Sequence, residues 1–309
     1  MIFEKPIDVS IIIVNYNTIN LLINSIDSIL GKTCDVTYEV IVVDNDSQDN
    51  SIPILRERYE NIPNFYIIES GENLGFGRAN NKGLEIAKGR NVFFLNSDTL
   101  LLNNAIRRLS IYLDNNPDVG VCGGNLFDEN MEPVQSFKRV LPSIFTEINN
   151  LALGIVYKFW FKPNLYHNFT KRELLVGYIT GADMMVRRDV LDKVGYFNPQ
   201  FFMYYEETEL SYRIHKAGYK IVSIPDAQII HLEGKSFVFK EQREIMVLHG
   251  RSVYNRLVFS HMMIKIIDFL HLVFLYERSI LHRFILRNKK IYWSSRLRLF
   301  KEYMRKKNN

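Results

Sequence analysis

The feature that most narrows the possible folds is a series of short, almost wholly apolar runs, each ending in a polar cluster. Val9–Val14, Val40–Val43, Phe65–Ile68 and Val92–Leu95 are separated by amphipathic stretches at about Asn20–Leu30, Ser51–Tyr59 and Gly77–Ala87. Strand-length runs with no polar face suit a parallel sheet covered by helices on both sides. Ligands of such sheets bind beyond the carboxyl ends of the strands. At those ends the chain carries Asn15-Tyr16-Asn17, Asp44-Asn45-Asp46-Ser47 and Asn96-Ser97-Asp98. The second half is less regular. Val119–Asn125, Asp183–Val186 and Lys220–Ser223 read as strands, as does the apolar Ala227–Ile230. Glu207–Ala217 reads as a helix closed by Gly218, and Pro133–Tyr166 is aromatic-rich without a clear period. Beyond Phe239 the pattern is helical, and no repeat or low-complexity tract interrupts it.

With 309 residues and 47% apolar content, the chain can bury one large core, or one core with an appendage. A charged fraction of 24% excludes disordered and fibrous classes. Cys34 and Cys122 form no metal-ligand pattern and read as reduced thiols of a cytoplasmic protein. Met1–Asp8 is polar, the first apolar run is too short for a signal-peptide core, and no run approaches the roughly 20 residues of a membrane span. Charge is unevenly placed. Residues 251–309 hold 14 Lys/Arg against 3 acids, so the remaining body is mildly acidic although the net charge is +5.

Each polar cluster has a bland reading beside a chemical one. Asp44 at a strand end can accept hydrogen bonds from a nucleobase or ribose, but Asp44–Asp49 would also make an ordinary turn and helix cap. Asp98 can ligate a divalent cation that bridges two phosphates, while the uncharged Asn96 better suits a ribose hydroxyl. The Glu72–Gly83 loop offers backbone N–H groups and Arg78 near a helix start. Its spacing, Gly75-x-Gly77-x-x-Asn80 after the third strand, is not a dinucleotide fingerprint. Glu206, Glu207 and Glu209 follow four aromatic residues and a methionine at a helix start, where they can include a general base or merely complement the helix dipole. His231 ends an apolar run; it reads as a structural histidine or as a second metal ligand, which would favour manganese over magnesium.

Taken in order, Val9–Asn17, Val43–Asp49, Asn73–Gly83, Asn96–Asp98, Gly181–Arg188 and Tyr205–Arg213 resemble glycosyltransferase family 2, in particular its rhamnosyltransferase-like branch, over roughly residues 8–235. The resemblance implies a GT-A fold: a mixed, mostly parallel α/β sheet flanked by helices. It implies a catalytic domain over 1–238, with donor-binding (about 1–125) and acceptor-binding (about 126–238) halves, and a basic helical extension over 239–309. By the same resemblance, Asn15, Tyr16, Asn17, Asp44, Arg78, Asn80, Asn96 and Asp98 bind the donor, and Asp98 and His231 hold the metal, Mn2+ or Mg2+. Glu207 is the catalytic base with Glu206 beside it, and Thr180, Gly181, Ala182 and Asp183 line the sugar and acceptor side. Three positions depart from the family pattern: Asn96 replaces a frequent Asp, Glu207 is one methylene longer than the usual Asp, and Asp183 stands where small or apolar residues are common.

The expected activity is inverting transfer of a sugar from a nucleoside-diphosphate donor to a hydroxyl in cell-surface polysaccharide synthesis. The branch resemblance points to deoxythymidine-diphosphate rhamnose, then to a uridine-diphosphate sugar, with a glycan or lipid-linked acceptor. A sugar-nucleotide-binding protein without activity is the alternative. The basic tail mixes cations with apolar residues, as in Phe269–Tyr276; such helices lie on an anionic membrane surface or pack on the body or a second subunit of a homo-oligomer. The acidic body and the lack of a nucleic-acid motif argue against nucleic-acid binding. No Gly-rich turn follows the first strand, which argues against a dinucleotide-dependent oxidoreductase.

Overall fold

Strand β1 (Val9–Asn15) lies inside a nine-stranded sheet in the computed structural model, which describes residues 6–232, 240–284 and 290–308. In chain order, β1 leads through α1 (Ile19–Lys32) to β2 (Tyr38–Asp44), and α2 (Ser51–Tyr59) leads to β3 (Phe65–Glu69). Helix α3 (Phe76–Leu84), β4 (Asn91–Asn96), the short β5 (Thr99–Leu101) and α4 (Ala105–Asn115) complete the first half. The second half begins with β6 (Val119–Phe127), β7 (Phe137–Lys138), α5 (Ile144–Leu151) and α6 (Ile155–Phe161). Next come β8 (Leu174–Leu175), β9 (Tyr178–Ile179), β10 (Asp183–Arg187), α7 (Arg188–Val194), α8 (Glu206–Lys216) and β11 (Lys220–His231). Three long helices follow, α9 (Lys240–Val258), α10 (His261–Phe284) and α11 (Lys290–Asn308). The expected domain boundary at residues 238–239 lies outside the described residues.

The sheet order is β3-β2-β1-β4-β10-β6-β11-β5, with β8 added beside β11. Strands β1 to β4 are mutually parallel, as expected from their unbroken apolar runs. Strand β10 is inserted antiparallel to both β4 and β6, so the sheet is mixed. Alternation along β1 shows why both sides needed apolar residues. Ile11 and Ile13 pack with α1 and α4, whereas Ile12 packs with α3, α7 and α8 on the opposite face. Helix α3 crosses β1 so closely that a Cβ on Gly83 would come within 2.5 Å of Ile12 Cγ2.

Several details differ from the sequence expectation. Helix α3 stops at Leu84, a turn short of Ala87, because Glu85–Ala87 turn back onto the carbonyls of Lys82 and Gly83. The two expected strands Lys220–Ser223 and Ala227–Ile230 form one strand whose register shifts between Ser223 and Gln228, around Pro225, which has no N–H to donate. The aperiodic stretch at 133–166 holds β7, α5 and α6. Helix α4 was not apparent, although Ile106, Leu109 and Leu113 recur at helical spacing. Both cysteines are free, Cys122 buried and Cys34 exposed.

The C-terminal helices pack on the body rather than trailing from it. Helix α10 lies on α5 and α11, sharing an apolar cluster of Leu248, Phe274, Leu275, Leu299 and Phe300. Beside it is a buried polar knot. Arg251 reaches Glu147 (3.3 Å) and Asp268 (3.0 Å), and the other Glu147 oxygen lies 3.0 Å from His271 Nδ1. Burial alone would raise the Glu147 pKa, but His271 and Arg251 outweigh it and hold the carboxyl below its ordinary value. Burial, and then Arg251, lower that of His271. Both groups bind fewer protons folded than unfolded, so the stability they lend is lost as pH falls below the ordinary histidine range and on through the Glu147 titration. Among the described residues no helix is long and apolar enough to cross a membrane. Glu147→Ala is expected to cost about 3 kcal/mol, as for a buried pair broken on one side, in urea denaturation at pH 7; an unchanged midpoint would show that the knot does not hold the helices.

Candidate active site

The parallel strands deliver three polar tips to one edge, and hydrogen bonds join them. Asn15, at the end of β1, is fully enclosed and directs its amide at Asp44 Oδ1 (2.8 Å), Ser47 Oγ (3.0 Å) and Ser51 Oγ (2.8 Å). Asp44 accepts a second bond at Oδ2 from the Ser47 N–H (3.0 Å). Thr18 donates to Asn15 Oδ1 and lies 3.0 Å from Ser97 Oγ, linking the β1 tip to the Asn96–Asp98 segment. Asn17 has φ 56; its N–H donates to Ser47 Oγ and its side-chain oxygen accepts from the Gln48 N–H. Asp49 accepts from the Ile19 N–H, supplying from a distance the cap that α1 lacks at Thr18.

These contacts revise two donor-binding expectations. Asn15 positions Asp44 from behind instead of facing the nucleoside, while Tyr16, 47% exposed, and Asn17 are the open residues of that tip. Asn80 is likewise buried, its amide bonded to the Phe76 carbonyl within α3. Arg78 is partly exposed and its Nε donates to the Leu74 carbonyl (2.8 Å). Asn45, which carried no assigned role, ties the tip of β2 to the 73–75 loop by accepting from the Leu74 N–H and donating to Asn73 Oδ1.

The two residues expected to hold a metal lie side by side. His231 Nε2 lies 3.4 Å from Asp98 Oδ1 and 3.4 Å from Asn96 Nδ2. The register explains the meeting: β11 pairs antiparallel with β5, which sets His231 opposite Thr99, one residue past Asp98. The Leu232 N–H then donates to the Asp98 carbonyl. An oxygen and a nitrogen at this separation fit adjacent positions on an octahedral ion with ligands at about 2.1 Å, whose edge is about 3 Å. Among the described residues there is no group of three or more His, Cys, Asp or Glu side chains for a closed site. Asp98 and His231 would therefore leave most ligand positions to phosphate oxygens and water.

The acids at the start of α8 divide by environment. Glu209 is taken up in a bidentate pair with Arg213. Glu206 is buried, and its Oε2 has no hydrogen-bond partner. Glu207 is partly exposed, with Thr208 Oγ1 3.3 Å from its Oε1. Burial, and then the neighbouring Glu207, push the Glu206 pKa up; burial does the same for Glu207. Both acids follow Tyr204 and Tyr205, which have φ of 70 and 74. A left-handed non-glycine residue costs on the order of 1–3 kcal/mol, so packing must hold this turn. It does: the Tyr254 ring from α9 lies 5.7 Å from that of Tyr205, and Arg243 stands over Tyr204. The Phe202 carbonyl accepts from the Phe76 N–H, and a Cβ on Gly75, where φ is +77, would lie 2.0 Å from that oxygen.

Gly181 sits against the Phe76 ring and 4.0 Å from Glu207 Cβ, measured from the position its own Cβ would take. The carbonyl of its neighbour Ala182 accepts from the Asn96 N–H (3.0 Å). A short path of contacts thus runs from Glu207 through Gly181 and Ala182 to Asn96, His231 and Asp98. Thr180 bonds the Ser136 carbonyl through both its N–H and its hydroxyl. Asp183 departs from expectation. It is wholly enclosed, with Oδ2 accepting from the Gly124 N–H (2.6 Å) and Oδ1 unpartnered. Burial pushes its pKa well up despite the Gly124 bond, and its enclosure sets it below the open edge where a sugar-reading group was expected. Tyr178, which no motif marked, has its pKa raised by burial and then by Glu207 nearby. A recess of about 420 Å3 lined by Val36, Tyr38, Ile62 and Phe65 lies at the opposite end of the strands and does not touch these groups.

A mixed sheet of this order, with acids at the ends of two strands and at the start of α8, has the GT-A fold of glycosyltransferases. The chain belongs to glycosyl transferase family 2, whose sequence profile matches residues 10–195. It is similar to N-acetylglucosaminyl-diphospho-decaprenol L-rhamnosyltransferase of Mycobacterium tuberculosis, 28% identical over 75% of this chain and 78% of that protein. It is also similar to the low-salt glycan biosynthesis hexosyltransferase Agl10 of Haloferax volcanii, 28% identical over 72% of this chain and 67% of that one. In fold it resembles the mannosyltransferase PcManGT from Pyrobaculum calidifontis, solved with GDP-Man and Mn2+, at a TM-score of 0.61 and 17% identity over 96% of this chain and 86% of that one. GalNAc-T7 with UDP, GalNAc and Mn2+ matches at 0.60 and 14% identity over 82% of this chain, which spans about half of that protein (48%). The protein is a glycosyltransferase.

The raised Glu206 carboxyl makes a testable claim. Folded, it keeps a proton that the unfolded chain has lost above the ordinary carboxyl range, so stability falls as pH rises through that interval. Glu206→Gln has no such proton; its melting temperature relative to wild type is expected to climb by several degrees from pH 5 to pH 9, measured by thermal unfolding with chelator present. A pH-independent difference would remove the buried acid.

Proposed function

We propose that the protein is an inverting, metal-dependent glycosyltransferase that moves a hexosyl or deoxyhexosyl group from a nucleoside-diphosphate donor to a hydroxyl of a glycan or lipid-linked acceptor. The observation that carries this reading is the pair of environments on one sheet edge. Asp98 with His231 forms a two-donor site, and the partly exposed Glu207 stands beside Gly181. The likeness to a rhamnosyltransferase that by name acts on a diphospho-decaprenol lipid supports deoxythymidine-diphosphate rhamnose as donor and a lipid-linked acceptor; a uridine-diphosphate sugar is the next choice.

Tyr16, Asn17 and Asp44 receive the nucleoside, with Asn15 and Ser47 keeping Asp44 in place, and Asn96 and Arg78 face the donor beyond. Asp98 and His231 would hold a divalent cation, Mn2+ or Mg2+, which when bound would supply positive charge against the departing diphosphate. Glu207 takes the proton of the acceptor hydroxyl while that oxygen bonds to the anomeric carbon. The bond from that carbon to the diphosphate oxygen breaks on the opposite face, so the configuration inverts and the nucleoside diphosphate leaves. A base in a desolvated setting, next to a second acid, is a stronger proton acceptor than an exposed glutamate, and such a group contributes about 10²–10⁴-fold. Glu206, behind it, positions Glu207 by packing.

Glu207→Gln is expected to keep donor affinity while lowering turnover at least about a hundredfold, read in steady-state assays of nucleoside-diphosphate release; near-normal turnover would sink the base assignment. Asp98→Ala is expected to lose metal-dependent donor affinity by at least the roughly 10–100-fold that even an outer-shell partner is worth. Calorimetric titration with and without Mn2+ measures it, and equal affinities in both proteins would contradict the metal role.

A further inference from the structure

Helix α10 is apolar on two sides. Its inner side, with Ile267, Phe274 and Leu275, is buried, and the Phe274–Leu275 cluster packs with side chains of α5 and α11. Its outer side exposes Met262, Ile266, Phe269, Val273, Tyr276 and Ile280, with Met262 71% and Phe269 63% accessible. Their spacing of four, three, four, three and four residues keeps all six within about 40° of one line along a helix of 3.6 residues per turn, a stripe about 27 Å long. A face turned to water alone would be polar. The fully exposed charges on α10 are the cations Lys265 and Arg283. Glu277, the acid nearest the stripe, is partly buried with Oε2 turned inward.

A cationic recess adjoins this stripe. It measures about 320 Å3 and lies between α10 and α11, lined by Ser279, Ser294, Arg298, Lys301, Glu302 and Arg305. Lys301 Nζ stands 4.3 Å from the centre of the Tyr276 ring, so the recess borders the stripe directly. Arg298 is engaged by Glu241 and Glu302. Lys301 and Arg305 have no carboxylate within ion-pair distance among the described residues.

We propose that this outer face of α10 docks on an anionic phospholipid surface, the stripe entering the boundary between headgroups and acyl chains while Lys301 and Arg305 take lipid phosphates. Charge decides between this occupant and a second copy of the chain. Residues 251–309 carry 14 Lys/Arg against 3 acids, so two such faces repel each other, whereas anionic lipid attracts each basic residue near its surface. The inference deepens the reading of a lipid-linked acceptor and rests on it. Helix α9 contacts both α10 and α11 and holds the Tyr204–Tyr205 turn, so packed side chains join the docking helices to the start of α8.

The full-length protein is floated with vesicles of phosphatidylcholine alone and of phosphatidylcholine with phosphatidylglycerol. Binding to the anionic vesicles, weakened by about 1 M salt, is expected. Phe269→Glu and Ile280→Glu are each expected to weaken it about tenfold or more, the loss from one apolar side chain no longer buried, and Lys301→Glu also to weaken it. Their circular dichroism melts should match wild type; if one does not, Ile280→Ser and the salt dependence of wild type decide. No flotation of wild type, equal flotation of the variants, or a wild-type dimer that Phe269→Glu makes monomeric without any lipid dependence would overturn the proposal. Turnover on a water-soluble acceptor should be unchanged in Phe269→Glu and Ile280→Glu. A wild type that binds vesicles yet transfers no sugar would instead refute the proposed function and leave the docking surface standing.

Discussion

The structure depends above all on how the last strand is paired. Because β11 runs parallel to β6 and antiparallel to β5, its carboxyl end arrives at the same edge as the ends of β1, β2 and β4. His231 is thereby set beside Asp98 although 132 positions separate them in the chain. Had the final strand run the other way, the histidine would lie at the opposite end of the strands, away from the polar tips. Strand β10 serves the same edge from the opposite direction: its start, not its end, delivers Gly181 and Ala182 to Asn96.

Burial sorts the acids that the sequence sets side by side. Three glutamates begin α8, all favoured there by the helix dipole. One is tied to Arg213, one is enclosed behind the site, and one remains at its edge. The tyrosine turn before them is held in left-handed geometry by α9. The third long segment of the protein therefore has a part in the site although it contributes no polar group to it. It also shapes the chain's outer surface, because α10 spends one apolar side on the body and leaves the other in the open.

Much of the sheet was legible. Unbroken apolar runs with no polar side admit little besides strands covered twice, and most strand bounds follow to within a residue or two. The acidic tips Asp44 and Asp98 and the Glu206–Glu207 pair each admit a turn, cap or helix-dipole reading alone, and they were legible as chemistry only through the order in which the motifs follow one another. What could not be read is direction and depth. Asn15, Asn80 and Asp183 carry polar groups in the right motifs, yet each is enclosed. Thr18 and Tyr178 sit in no distinctive pattern, and Asn45 and Ser97 had no role of their own within theirs; all four matter through neighbours dozens of residues away.

By itself, the sequence determined the layers: periodicity dictates which segments are strands and helices and which of their sides must leave water. It also determined the order of the family motifs and the basic character of the tail. Only the tertiary structure decided which polar side chains face the open edge and which support it, that β10 runs against its neighbours, and that the tail's first helix braces the Tyr204–Tyr205 turn. The physical reason is range. Hydrophobic pattern is a local property of the chain, whereas desolvation, strand register and hydrogen-bond partnership exist only once distant segments have met.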